Sequence, residues 1–332
     1  VAARKKSAKR KKPAAASAKK AAPKKKASST STGKGARRTG ASKPASRGPG
    51  PALGLVIFGL LGLGVVGALA LGQRDERPGD LPDQAEAVET VDVVDPGSDA
   101  PVIPVAYDVR VVERHGHDTS AFTQGLLWHA GELYESTGLV GRSSLRRWDL
   151  DTGRIAQRTE VPHVFAEGLA LVGDELFQLT WQDGVLLVYD RETFEKVREV
   201  EYEGEGWGLC YDGEDLVMSD GSDELTFRDP TTFAVRRRLR VRKVGRPVRM
   251  LNELECTGGA VWANIWQRDD IVKIDPRTGH VTATVDASGL LEPGERRGTD
   301  VLNGIAWLPD QERFLLTGKL WPAAFEVELV ER

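Results

Sequence analysis

The sequence predicts an all-β domain, a five-bladed β-propeller, preceded by a disordered basic tail and one transmembrane helix. Three observations carry this reading. First, a polar or aromatic residue, then usually Gly, then an aliphatic recurs five times: Gln124-Gly125-Leu126, Glu167-Gly168-Leu169, Trp207-Gly208-Leu209, Asn252-Glu253-Leu254 and Asn303-Gly304-Ile305, at spacings of 43, 40, 45 and 51 residues. Second, each copy leads through a turn into another β-rich run (ELYEST, ELFQLTW, DLVMSDG, AVWANIW, RFLLTGK). In the first four a third run ends in Asp before a Thr-bearing turn and a fourth run. Four short strands per 40–50 residues is the pattern of a propeller blade. Third, the fifth copy lacks a fourth run, whereas Tyr107–Arg114 (YDVRVVER) reads as a strand with no partner before the first copy. It supplies the missing outer strand and closes the ring, removing exposed edges. The propeller is thus expected over 105–332.

The preceding residues divide by charge and hydropathy. Residues 1–50 hold 17 of the chain's 46 Lys and Arg and none of its 49 Asp and Glu, leaving 29 basic against 49 acidic residues in the remainder. A Lys, Ala, Ser and Pro tail cannot bury a core and is expected to be disordered. Residues 51–72 (PALGLVIFGLLGLGVVGALALG) carry no charge, and as a helix they are long enough to cross a hydrocarbon core of roughly 30 Å. Lys34, Arg37, Arg38, Lys43 and Arg47 precede this segment, while Arg74 and Arg77 after it are diluted by Asp75, Glu76 and Asp80. The asymmetry predicts a signal anchor with a cytoplasmic N-terminus and a periplasmic or extracellular body. The competing reading is a secreted protein cut after Ala68-Leu69-Ala70. Residues 73–104, acidic and Pro-containing, read as a linker. No aromatic interrupts the basic tail, so it offers no base-stacking platform and no specific nucleic-acid partner is expected. Two cysteines, Cys210 and Cys256, exclude a disulfide scaffold and a Cys-based zinc cluster; no bond between them is predicted.

In a propeller the first strand of each blade lies nearest the axis and the second runs antiparallel to it. The start of the first and the end of the second therefore share a face. The starts are Gln124, Glu167, Trp207, Asn252 and Asn303; the ends are Gly138, Trp181, Gly221, Trp266 and Lys319. Glu167 is the one carboxylate among these ten positions. Beside three tryptophans it is expected to be desolvated, with its pKa raised toward the range of a general acid–base. The other tryptophans (Trp128, Trp148, Trp262, Trp307, Trp321) read as packing between blades, and His117 and His163 as surface or turn residues.

The runs AFTQGLLW, FAEGLALVGDELFQLTWQDG, GEGWGLCYDG, LNELE, WANIWQRDDIVKIDP and DVLNGIAW…LLTGKLWP resemble the glutamine cyclotransferase family, in order, across essentially all of 107–332. The resemblance implies a propeller that converts the N-terminal glutaminyl residue of a peptide into pyroglutamyl, releasing ammonia. It implies Glu167 as the catalytic residue and Phe122, Gln124, Trp181, Trp207, Asn252, Trp266 and Lys319 as substrate-binding. It requires no cofactor and no catalytic metal, and allows a structural metal ion near the axis. The partners expected are peptides or proteins with N-terminal Gln, and a membrane through 51–72.

The chemistry of these residues agrees. One carboxylate in a dry slot can take a proton from the attacking α-amine and deliver it to the leaving ammonia. Gln124, Asn252, Lys319 or an indole N–H would stabilise the oxyanion. Two alternatives stand beside this: a lactonase-like hydrolase with Ca²⁺ on Glu167, Asn252 and Asn303, and a non-catalytic, membrane-tethered binding propeller.

Overall fold

A computed structural model describes residues 93, 94 and 102–332. The segments read as tail (1–50) and transmembrane helix (51–72), and most of the linker (73–104), lie outside the described residues. Among the described residues every regular element is a strand, and no helix is long and apolar enough to cross a membrane.

The repeats of the sequence appear as antiparallel four-stranded units. The first unit comprises Thr123–His129, Glu132–Thr137, Ser144–Trp148 and Ile155–Glu160. Ala166–Val172, Glu175–Thr180, Val185–Asp190 and Lys196–Glu201 form the second. The third is Leu209–Tyr211, Leu216–Ser219, Glu224–Arg228 and Val235–Arg240. In the fourth, Leu251–Thr257 is followed by Ala260–Ile265, Asp270–Ile274 and Val281–Asp286. The fifth has Leu302–Leu308, Arg313–Gly318 and Ala323–Glu331, completed by Val105–Gly116 from the start of the domain. That strand is twelve residues long, and its first four also pair in parallel with Ala283–Asp286, so the fourth and fifth units join in one sheet. A further short strand, Val93–Val94, runs parallel to Arg238 and Leu239 on the outer edge of the third unit.

Local chemistry explains the spacing. At the end of each third strand of the first four units an Asp side chain accepts the backbone N–H two or three residues on: Asp149 from Thr152, Asp190 from Thr193, Asp229 from Thr232 and Asp275 from Arg277. These Asx turns reverse the chain into the fourth strand. Fourth strands such as Ile155–Glu160 alternate between half-buried and exposed residues, as a strand with one face in water does.

The core lies between the units. Among the described residues five apolar clusters form, each shared by two consecutive units, and the fifth unit shares one with the first through Ala306, Leu308, Leu315 and Ala324 against Leu126, Leu133 and Trp148. The first strands also touch in succession, from the first unit to the fifth and back to the first. Their backbones approach so closely that side chains are excluded: a Cβ on Gly168 would lie 2.4 Å from the Leu209 nitrogen, and one on Gly208 only 2.0 Å from the Asn252 carbonyl oxygen. Glu253 stands where the other four repeats carry Gly. Its buried carboxylate reaches across to accept the N–H groups of Leu126 and Ile305, at 3.2 and 2.8 Å.

Cys210 and Cys256 form a disulfide between the first strands of the third and fourth units, with a Cα–Cα distance of 5.5 Å. The sequence left this bond open. The two strands are adjacent, and both side chains pack into the core between those units. The bond spans 46 residues, so replacing both cysteines by Ser is expected to cost about 2–4 kcal/mol through the freed unfolded chain. Urea unfolding of that double variant checks this; an unchanged midpoint would show that the bond adds nothing to stability.

Candidate active site

The two sets of rim positions do meet. Backbone bonds link the end of the second strand to the chain entering the first: Gly138 N–H to Phe122 O, Trp181 N–H to Phe165 O, Trp266 N–H to Met250 O and Lys319 N–H to Val301 O, all at 2.8–2.9 Å. The rim is also where the backbone is irregular. In four units the pairing of first and second strands slips at the site residue, leaving Gln124 unopposed and the pairs Glu167-Gly168, Asn252-Glu253 and Asn303-Gly304 opposite a single residue. Such bulges bend a strand and re-aim its side chains. Leu139, Gln267 and Leu320, each next after a rim position, have φ of 88°, 64° and 62°; left-handed conformations in such residues cluster at functional sites.

Glu167 is the centre of the arrangement. It is 5% exposed, and its Oε1 accepts the carboxamide Nε2–H of Gln124 at 2.9 Å. Burial pushes its carboxyl well above the usual carboxylate range, the nearby Lys319 ammonium opposes that rise, and the charge of Glu205 adds to it. Lys319 is equally buried; burial lowers its pKa, against the pull of Glu167 and Asp300. Its Nζ lies 5.0 Å from the centre of the Phe122 ring, within cation–π range.

From Phe122 the rim continues as a chain of rings. Phe122 meets Phe165 edge-on at 6.0 Å, and Phe165 meets Trp181 at 5.7 Å. Trp207 meets Trp266 at 5.6 Å. The break between the pairs is bridged by Glu205, whose Oε2 accepts the indole N–H of Trp181 at 2.8 Å and of Trp207 at 3.1 Å. Gly138 and Gly221 make room for two of the rings: a Cβ at these positions would lie 2.3 Å from the Phe165 ring and 2.7 Å from the Trp207 ring.

All eight residues singled out in the sequence therefore lie on one rim, but their roles divide. Glu167, Gln124, Lys319 and Phe122 form one connected group, and Trp181, Trp207 and Trp266 another. Asn252 is buried at its bulge, where its carbonyl accepts the Ser219 hydroxyl at 2.6 Å. Asn303 joins the group through Gln124, donating to Thr123 O at 2.9 Å and to Gln124 Oε1 at 3.3 Å. The indoles of Trp181 and Trp207 are committed to Glu205, and the Gln124 amide donates to Glu167, so Lys319, Asn252 and the Trp266 indole are the other donors on the rim for an oxyanion. Phe165 and Glu205 were missed by sequence reasoning. A signal existed: both stand two residues before a ring position, as Phe122 does. His117 was misread as a surface residue; it is buried, with Nε2 3.0 Å from Glu135 Oε1, whose other neighbours are Thr123 and Arg146.

Near the axis both oxygens of Glu253 accept backbone N–H groups, and Asn303 Oδ1 is buried without a partner among the described residues. Of the residues that would hold Ca²⁺, Asn252 and Asn303 are neutral and burial pushes the Glu167 carboxyl toward its neutral form, a weak donor set for an ion that takes six to eight oxygens. Glu113, His115 and Glu326 do converge, but on the outer strands, where Glu326 already bonds His115 at 3.1 Å and Arg313 at 3.4 Å.

Residues 87–329 match the model of the glutamine cyclotransferase family. The chain belongs to that family. It is 44% identical over 229 residues to a glutaminyl-peptide cyclotransferase of Arabidopsis thaliana, covering 67% of this chain and 71% of that protein. The crystal structure of Myxococcus xanthus glutaminyl cyclase matches with a TM-score of 0.64 at 42% identity, over 69% of this chain and 99% of that one. For this member of the glutamine cyclotransferase family the buried carboxyl has a measurable cost. An unfolded chain ionises Glu167 in the ordinary range, whereas the folded chain keeps the proton to higher pH, so the folded state is penalised as pH rises through that interval. Glu167→Gln is expected to gain melting temperature relative to the wild type progressively from about pH 4 upward. Paired thermal melts across pH check this, and a difference independent of pH would contradict it.

Proposed function

We propose that this chain is a glutaminyl-peptide cyclotransferase, and that its described domain is a five-bladed β-propeller with Glu167 as the acid–base group in its mouth. The propeller reading is supported by the closed succession of first-strand contacts and by the core cluster shared between the fifth and first units. The single observation that carries the chemistry is a buried carboxyl beside a buried amine, rimmed by aromatic rings.

The substrate is a peptide or protein with N-terminal Gln. Its α-amine, in the neutral form, attacks the γ-carboxamide carbon and forms the ring C–N bond. Glu167 accepts the proton released by the attacking nitrogen. It then returns a proton to the carboxamide nitrogen, the exocyclic C–N bond breaks, and ammonia leaves the pyroglutamyl product. The γ-oxygen carries negative charge in between, and Lys319, Asn252 and the Trp266 indole are the rim donors available to meet it. Trp181, Trp207, Trp266 and Phe122 wall the mouth and hold the side chain curled onto its own amine, supplying proximity. No step passes through a metal. Chelation therefore separates this reading from a lactonase-like hydrolase.

We further propose the organisation set out from the sequence: basic tail 1–50 in the cytoplasm, anchor 51–72, linker 73–104 and an extracytoplasmic catalytic domain 105–332. The Cys210–Cys256 disulfide supports an oxidising compartment. Secretion after cleavage near Ala70 is the alternative.

The test is mass spectrometry of ammonia loss from a Gln-initiated peptide incubated with the 332-residue chain, against an enzyme-free control. Loss well above the control, unaffected by EDTA and reduced roughly 10²–10⁴-fold in Glu167→Gln, is expected for general acid–base catalysis. A folded protein giving only the control rate would sink the proposal and leave a binding propeller.

A further inference from the structure

Glu205 is the rim carboxylate that the reaction as written does not use. It sits in the loop between Lys196–Glu201 and Leu209–Tyr211, and that loop is tied down at several points. Tyr202 N–H bonds Gly184 O at 2.8 Å, Gly206 N–H bonds Trp181 O at 3.0 Å, and the Tyr202 hydroxyl bonds the Thr180 carbonyl. Glycine is required at 206 because a Cβ would lie 2.4 Å from the Tyr202 hydroxyl oxygen. The carboxylate is held as firmly. Oε2 takes two indole N–H groups, and Oε1 takes the Gln182 amide at 2.8 Å. Burial alone would raise its pKa, but the donors Gln182, Trp207 and Trp181 hold it below the ordinary range. It is thus an anion wherever its neighbour Glu167 titrates.

We propose that Glu205 is a positioning residue of the active site: its carboxylate clamps the Trp181 and Trp207 indoles across two units and stations a second negative charge beside Glu167. An anion that accepts two indole N–H groups on one oxygen fixes both ring planes at once. A neutral amide has one oxygen in place of two and would turn its own NH₂ toward a donor, either Gln182 or an indole. The charge acts on the acid–base group directly. The groups facing Glu167 are the Lys319 ammonium, which favours its ionised form; Glu205, which disfavours it; and Tyr202, whose hydroxyl burial pushes up to about 12, so that it stays neutral. The charge of Asp300 also acts on Lys319 and favours its ammonium form. Among these groups Glu205 supplies the negative charge that opposes Lys319 at Glu167.

This inference rests on the cyclotransferase reading, and its test keeps the two apart. The Glu167 carboxyl is titrated by ¹³C NMR in glutamate-labelled protein, its signal identified by its loss in Glu167→Gln, while kcat and KM are measured on a Gln-initiated peptide. In Glu205→Gln the Glu167 titration is expected to move to lower pH. The value of kcat/KM should fall about tenfold, comparable to the loss of one charge-assisted hydrogen bond. A role in packing alone would leave the titration in place. The proposal is overturned if the titration does not move, or if kcat/KM stays within twofold of the wild type. Should the glutamine variant fail to fold, Glu205→Asp keeps the charge but withdraws it from the indoles, and kcat/KM within twofold would overturn the clamp. A wild-type protein without cyclase activity would instead remove the cyclotransferase reading, while the titration would still report on Glu205.

Discussion

Close approach of the first strands is the constraint on which the rest of the structure depends. Where backbones pack at the distances seen between Gly168 and Leu209, or Gly208 and Asn252, no Cβ fits and the regular ladder cannot continue. The chain answers with Gly at most of these positions and with bulges beside them. The bulges carry Gln124, Glu167, Asn252 and Asn303 to one rim. The candidate site thus follows from how the first strands are packed: the residues that relieve crowding adjoin those that form it. Glu253 is the exception that fills the space, bridging from the fourth unit to the first and fifth.

Electrostatics at the rim follow from that packing. Glu167 and Lys319 are both removed from water, and burial works against the charged form of each while their attraction works for it. A buried pair of this kind is weak support for folding, because desolvation offsets most of the Coulomb gain. It is useful to a reaction that needs one group to take and return a proton. Stability is given up locally, and the apolar clusters between consecutive units supply it elsewhere.

Much of this was legible in the sequence, and what was missed has identifiable causes. The period of the Gln124, Glu167, Trp207, Asn252 and Asn303 motifs located one residue per unit at the same place, and the Asp-initiated turns marked where third strands end. The outer strand that completes the fifth unit was legible because YDVRVVER had no partner nearby. Glu205 and Phe165 were overlooked because the scan began at the repeat positions Trp207 and Glu167, whereas each lies two residues before one of these, in the chain entering the rim. The disulfide depends on the register between neighbouring first strands, which a motif spacing does not give. Bulges are equally silent, since no residue type signals them here. His117 looked like a surface residue because its partner Glu135 is distant in the repeat pattern and meets it only in the folded chain.

The central claim is that packing at the axis keeps the Glu167 carboxyl protonated beyond its ordinary range. Infrared difference spectra between the wild type and Glu167→Gln, recorded across pH, read that proton directly through the C=O stretch of a neutral carboxyl. The account predicts a band, present in the wild type only, that persists well above the ordinary carboxylate range and then disappears. A band that vanishes in the ordinary carboxylate range would contradict it, leaving Glu167 ionised there and the rim without its acid.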